Sequence, residues 1–138
     1  MIRSALLSLL FLAAPAFGQS TKFYNSQGKP AGISRQSGST TRFYDAGGKP
    51  SGHSVQSGNT IRYFDAQGKP AGSATTNGNG TRLYDAAGKS TGTASQNGNT
   101  TTFRDSRGAS AGQTRTSGST TRLFDGKGKS AGSSTKSK

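Results

Sequence analysis

Acid–base chemistry near neutral pH has few carriers in this sequence: one histidine, His53, and five aspartates, Asp45, Asp65, Asp85, Asp105 and Asp125, with neither glutamate nor cysteine. A catalytic pair needs two such groups converging on one substrate, or a nucleophile beside a base. His53 has no cysteine or glutamate to work with. The aspartates recur once every twenty residues, each at the same point of a turn, so no two are set to face one scissile bond. Turn aspartates hold calcium in some glycine-rich repeats. Here each unit offers a single carboxylate, and Lys49, Lys69, Lys89 and Lys129 follow four of them, which opposes a divalent cation. Neither a Walker-type phosphate cradle nor a nucleotide fingerprint occurs. The expectation is a non-catalytic protein without metal or cofactor, whose aspartates cap turns.

A second chemistry does recur. Lys22, Arg42, Arg62, Arg82 and Arg122 occupy one position of the repeat, and Tyr24, Tyr44, Phe64, Tyr84 and Phe124 stand two residues later. Side chains two apart on a strand share a face, so each unit presents the same cation and ring. Rings stack on sugars or bases, and a guanidinium forks onto charged oxygens. Repeated weak sites on one scaffold raise affinity through effective concentration. The row is therefore a candidate binding face for an anionic or glycan polymer, with nucleic acid the less favoured partner. The competing reading is that the pairs stabilise neighbouring strands by cation–π and cross-strand contact.

The elements that position this row follow from the repeat. Six tandem units begin at residues 21, 41, 61, 81, 101 and 121, a period typical of arrays that bury surface between neighbours. Each carries two turn signals. Asp45-Ala46-Gly47-Gly48 fits a type I turn closed by a glycine bulge; Gly58, like Gly38, Gly78, Gly98 and Gly118, marks a second turn. The short Thr-, Ser- and aromatic-rich stretches between them predict a β-hairpin per unit. The fold class is thus all-β, a tandem hairpin array forming an antiparallel meander of about twelve strands, open or closed, behind a signal peptide.

Alternation assigns the faces. Thr41 and Phe43 point one way, Arg42 and Tyr44 the other. The Phe43 position reads Phe23, Phe43, Tyr63, Leu83, Phe103, Leu123, as a packed face would. Counting back from the bulged turn places Phe43 opposite Ser51, Tyr44 opposite Pro50 and Arg42 opposite Gly52. Gly52 and its equivalents are expected to leave room for long side chains to lie flat. The variable site at Ile33, His53, Ser73, Thr93, Gln113 and Ser133 falls on the packed face in this register, and is expected near the second turn, beyond the packed zone. Burial of one thin row falls short of the cost of ordering the chain. Closure of the sheet, dimerisation through the Phe43 face or a bound ligand is expected to supply the rest.

Residues 1–18 have the makeup of a leader: Arg3, an apolar run from Ala5 to Ala14, then Pro15-Ala16-Phe17-Gly18. Cleavage is expected before Gln19, with a cut after Ala16 also fitting the small-residue rule. The run is about half the ~20 residues a membrane-spanning helix needs. The mature chain, residues 19–132 with a flexible basic tail over 133–138, is expected to be exported to the periplasm or secreted, without an integral membrane anchor. The formal net charge of +13 favours polyanionic partners; it also keeps a sheet protein soluble.

The string Phe43-Tyr44-Asp45-Ala46-x-Gly48-Lys49, with a Gly-Asn-Thr turn and a further Tyr-Asp, resembles the YD repeat of Rhs-type and teneurin proteins over residues 21–132. The resemblance implies hairpins that extend into β-strips, which in that family spiral into shells or take part in surface adhesion, with some regions associated with glycan binding. Six units are too few for such a shell, so the property it implies here is surface binding. Two functions stand as expectations: binding of an anionic or glycan polymer at the cell envelope, or a structural or adhesive role through self-association and protein contacts.

Overall fold

The computed structural model describes residues 19–137; the expected leader over residues 1–18 lies outside them, as does Lys138. Twelve strands follow one another: β1 (Ser20–Asn25), β2 (Pro30–Ser37), β3 (Thr40–Asp45), β4 (Pro50–Ser57), β5 (Thr60–Asp65) and β6 (Pro70–Asn77). The second half repeats the pattern as β7 (Gly80–Tyr84), β8 (Ser90–Asn97), β9 (Thr100–Asp105), β10 (Ser110–Ser117), β11 (Thr120–Asp125) and β12 (Ser130–Ser137). Each strand pairs antiparallel with the next, and β1 pairs with β12, so the meander closes into a barrel.

Turn chemistry makes the hairpins. The Gly48 N–H donates to the Asp45 carbonyl at 3.0 Å and the Asp45 N–H to the Lys49 carbonyl at 2.9 Å. Oδ1 of Asp45 accepts from the N–H groups of Gly47 and Lys49, both at 2.9 Å. Gly48 takes φ +82°, a conformation costly to any residue with a Cβ. The aspartates thus cap turns as expected, and Asn25 does the same in the first unit. Between hairpins, Ser57 pairs with Thr60 across a two-residue turn that opens with Gly58 at φ +57°.

The Phe43 row faces the interior: Phe23, Phe43, Phe103 and Leu123 are buried. Beside the rings lies a layer of small residues, including buried Ser34, Ser54, Ala74, Ala94, Thr114 and Ser134. Closure gives every strand of the meander two hydrogen-bonded neighbours and removes the free edges of an open sheet.

The register departs from the turn-counted one at a single point. Tyr44 does stand opposite Pro50, but Phe43 pairs with Gly52 and Arg42 with His53. Ser51 is an extra residue, a β-bulge, and all six hairpins shift at the same place. Two expectations change with it. His53 and the other variable positions are at mid-strand on the outer wall, opposite the cation row. Gly52 does not make space for flat-lying side chains. At φ +145° its missing Cβ would collide with the Phe64 carbonyl oxygen of β5, so the neighbouring backbone fills that space. Apart from the bulge, Ser133 to Ser137, within the expected tail, continue β12 with partners on β1 and β11.

Candidate anion-binding face

The bulge and the pleat together put the cation row outside. Lys22, Arg42, Arg62, Arg82 and Arg122 are exposed, and Tyr24, Tyr44, Phe64, Tyr84 and Phe124 are half-buried beside them. Within each strand the expected pair shares a face. Successive pairs sit on β1, β3, β5, β7 and β11, about 10 Å apart around the girth where adjacent. The row is thus a belt, not a flat stripe: Arg62 on β5 and Arg122 on β11 are six strands apart in a ring of twelve, on opposite walls.

Side chains from the even-numbered strands complete the belt. Arg35 stands directly opposite Arg42 and its guanidinium carbon lies over the Tyr44 ring, 5.6 Å from the centroid. Arg115 repeats this opposite Arg122, 5.7 Å over Phe124. His53 stacks on Phe64 with centroids 4.8 Å apart and planes 12° from parallel. These three residues were missed by counting from the bulged turn. Counting from the unbulged turn at Gly58, where Ser57 meets Thr60, would have paired Val55 with Arg62 and, one unit earlier, Arg35 with Arg42. One face of each ring at Tyr44, Phe64 and Phe124 is therefore already occupied by a cross-strand neighbour.

Two shallow depressions flank Arg42. One, about 510 Å³, is lined by Arg35, Gln36, Ser37, Thr40, Arg42 and Tyr44. The other, about 390 Å³, includes Arg42, Tyr44, Pro50, His53 and Asp65 in its wall. Asp65 does not neutralise that wall freely, because its Oδ1 accepts 2.9 Å bonds from the N–H groups of Gln67 and Lys69. Asp125 shows the electrostatic consequence of such capping. Its carboxyl is held below the usual aspartate range by the Lys129 N–H first of all, with the Lys127 N–H and both lysine charges adding to it against the opposing cost of desolvation. In the fifth unit, where Arg104 replaces the ring, its Nη1 donates to the Gly108 carbonyl at 3.0 Å.

Among the described residues no group of three or more His, Asp or Glu side chains gathers as a metal site would require. Inside the barrel, Tyr63 stands in the apolar row with its hydroxyl buried and without a hydrogen-bond partner. Burial pushes that hydroxyl up to about 12, so it is a neutral phenol at physiological pH.

No family model matches this sequence, and no curated protein matches it. Among solved structures, the X-ray structure of a protein from Arabidopsis thaliana is similar, with a TM-score of 0.61. The match covers 86% of this chain and 80% of that one at 6% sequence identity. Likeness at that identity shows the antiparallel barrel fold and carries no function.

Proposed function

We propose that this chain is an exported, non-catalytic barrel that binds an anionic polymer, foremost a polysaccharide of the cell envelope, through its outer belt. The observation that carries this reading is a segregation of charge. The carboxylates are spent on turn N–H groups at the barrel's end, while the guanidinium groups of Arg35, Arg42, Arg115 and Arg122 stand at mid-wall without a carboxylate partner among the described residues. Cations left without counter-charges on a rigid surface attract polyanions. With one face of three of the five rings occupied, charge rather than sugar stacking is the principal attraction. The similarity of the repeat to YD units, some of which are associated with glycan binding, supports the same reading.

Two structural points weigh on the alternatives. Closure leaves no unpaired strand edge for association through strand addition, and the Phe43 face that could have dimerised is turned inward. A wall bearing a cation at mid-strand in most hairpins is poorly suited to lipid, where arginine at the midplane costs about 2–4 kcal/mol.

The test is binding of immobilised anionic polysaccharide, lipopolysaccharide and DNA by the wild type and by an Arg42→Ser, Arg62→Ser, Arg82→Ser triple variant, at low and high salt. Binding by the wild type that weakens steeply with salt and drops in the variant is expected. Unchanged binding in the variant, or none by the wild type at low salt, would overturn the proposal.

A further inference from the structure

The belt is not uniform around the barrel. At the positions equivalent to Arg35 and Arg42, the two strands carry Arg35 opposite Arg42 on β2 and β3, and Arg115 opposite Arg122 on β10 and β11. The other equivalent pairs carry at most one cation each: Val55 opposite Arg62, Thr75 opposite Arg82 and Ser95 opposite Thr102. Far apart in sequence, the two arginine pairs become neighbours because β1 pairs with β12. Their centres are four strand spacings apart across that seam, about 19 Å around the girth. Lys22 projects between them from β1, opposite Thr135.

Like charges placed directly opposite on paired strands repel, and nothing in the fold requires them here: the equivalent of Arg35 is Val55, Thr75 or Ser95 elsewhere. Each pair nevertheless has one arginine held in place by a ring, Arg35 over Tyr44 and Arg115 over Phe124. This contact holds a guanidinium against the wall beside its opposed partner. The depression beside Arg35 and Arg42 adds the hydroxyls of Ser37 and Thr40. An arginine pair with hydroxyl donors beside it offers the several charge-assisted hydrogen bonds that an oxyanion accepts at once.

We infer that the seam wall carries two matched oxyanion sites, Arg35 with Arg42 and Arg115 with Arg122, bridged by Lys22, and that together they take spaced carboxylate, sulfate or phosphate groups of one anionic polysaccharide chain. The inference rests on the proposed function and sharpens it: binding is concentrated at the closing seam and not spread equally over the units. Two linked sites give avidity only when one chain spans both.

The experiment compares two double variants of equal charge loss, Arg35→Ser with Arg115→Ser at the seam and Arg62→Ser with Arg82→Ser beyond it. Probes are dextran sulfate and polygalacturonate, which separate sulfate from carboxylate as the recognised group, with duplex DNA as a third arm. The seam variant is expected to lose about tenfold or more in affinity and to lower the salt slope by about two, while the other, which removes belt arginines outside the seam, loses less, about threefold. All four substituted side chains are exposed. Melting curves verify folding, since the seam variant removes the like-charge repulsion together with the ring contacts of Arg35 and Arg115 and these effects oppose each other. Equal losses in both variants, or a larger loss in the second, overturn the seam sites while leaving polymer binding intact. Preference for DNA over both polysaccharides overturns the ligand class. Absence of wild-type binding to any probe overturns the proposed function with it.

Discussion

Phe43 faces Gly52 across the β3–β4 ladder while the next residue, Tyr44, faces Pro50. One extra residue in β4 thus lets the ring point inward with a glycine opposite it, and turns His53 outward to meet Arg42. Gly52 is held there by two constraints at once, φ +145° and the Phe64 carbonyl lying where a Cβ would be. Gly48, at φ +82°, has open space around its missing Cβ. Chemical denaturation is expected to show Gly52→Ala destabilised by about 3 kcal/mol or more, and Gly48→Asn by about 1 kcal/mol or less. Equal costs at the two sites would contradict the bulge.

The Asp45 carboxylate acts through one oxygen on two N–H groups, a task an amide oxygen performs equally well, as Asn25 shows in the first unit. Asp45→Asn is expected to leave Tm unchanged, and Asp45→Ala to lower it by about 5 °C. For Asp125 the folded carboxyl sits below its usual value. Its stabilising contribution is therefore present above pH 3.8 and lost as pH falls through the folded value. Asp125→Asn should flatten that acid limb in pH-dependent melting.

Tyr63 places a hydroxyl without a partner where other units put Phe or Leu. Burying it unsatisfied costs about 1–3 kcal/mol, so Tyr63→Phe is expected to stabilise the barrel. The alkaline limb gives a second readout. An unfolded tyrosine ionises at about 10.0 while folded Tyr63 ionises at about 12, so the folded state keeps its full advantage below pH 10 and loses it as pH rises through 12. Melting curves from pH 9 to 12 should fall less steeply for Tyr63→Phe; parallel curves would place the hydroxyl in water.

How much of this was legible depended on whether a feature is local. The turns at Asp45 and Gly58, one hairpin per unit and the inward Phe43 row follow from residue types within a few positions of each other. The bulge at Ser51 is also local, yet its signal, a glycine after Pro50 and one residue, reads equally well as simple slack in the strand. That one-residue shift hid Arg35, Arg115 and His53 from the outer belt, since a slip of one exchanges faces along a whole strand. Closure was legible only as one of two options, open or closed, with no residue to decide between them. Whether β1 meets β12 depends on twist and stagger accumulated over twelve strands, to which no single residue testifies, and the concentration of cations at the seam was hidden with it.

Lys22 and Thr135 are direct partners across that seam, and their separation tests barrel closure most directly. The chain has no cysteine, so Lys22→Cys with Thr135→Cys accepts a pair of spin labels at defined positions. In the closed barrel the two backbones are about 5 Å apart and the labels should show strong short-range dipolar broadening. In an open strip, twelve strands side by side at about 4.8 Å each would separate them by roughly 50 Å, and a distance distribution centred there would contradict the barrel.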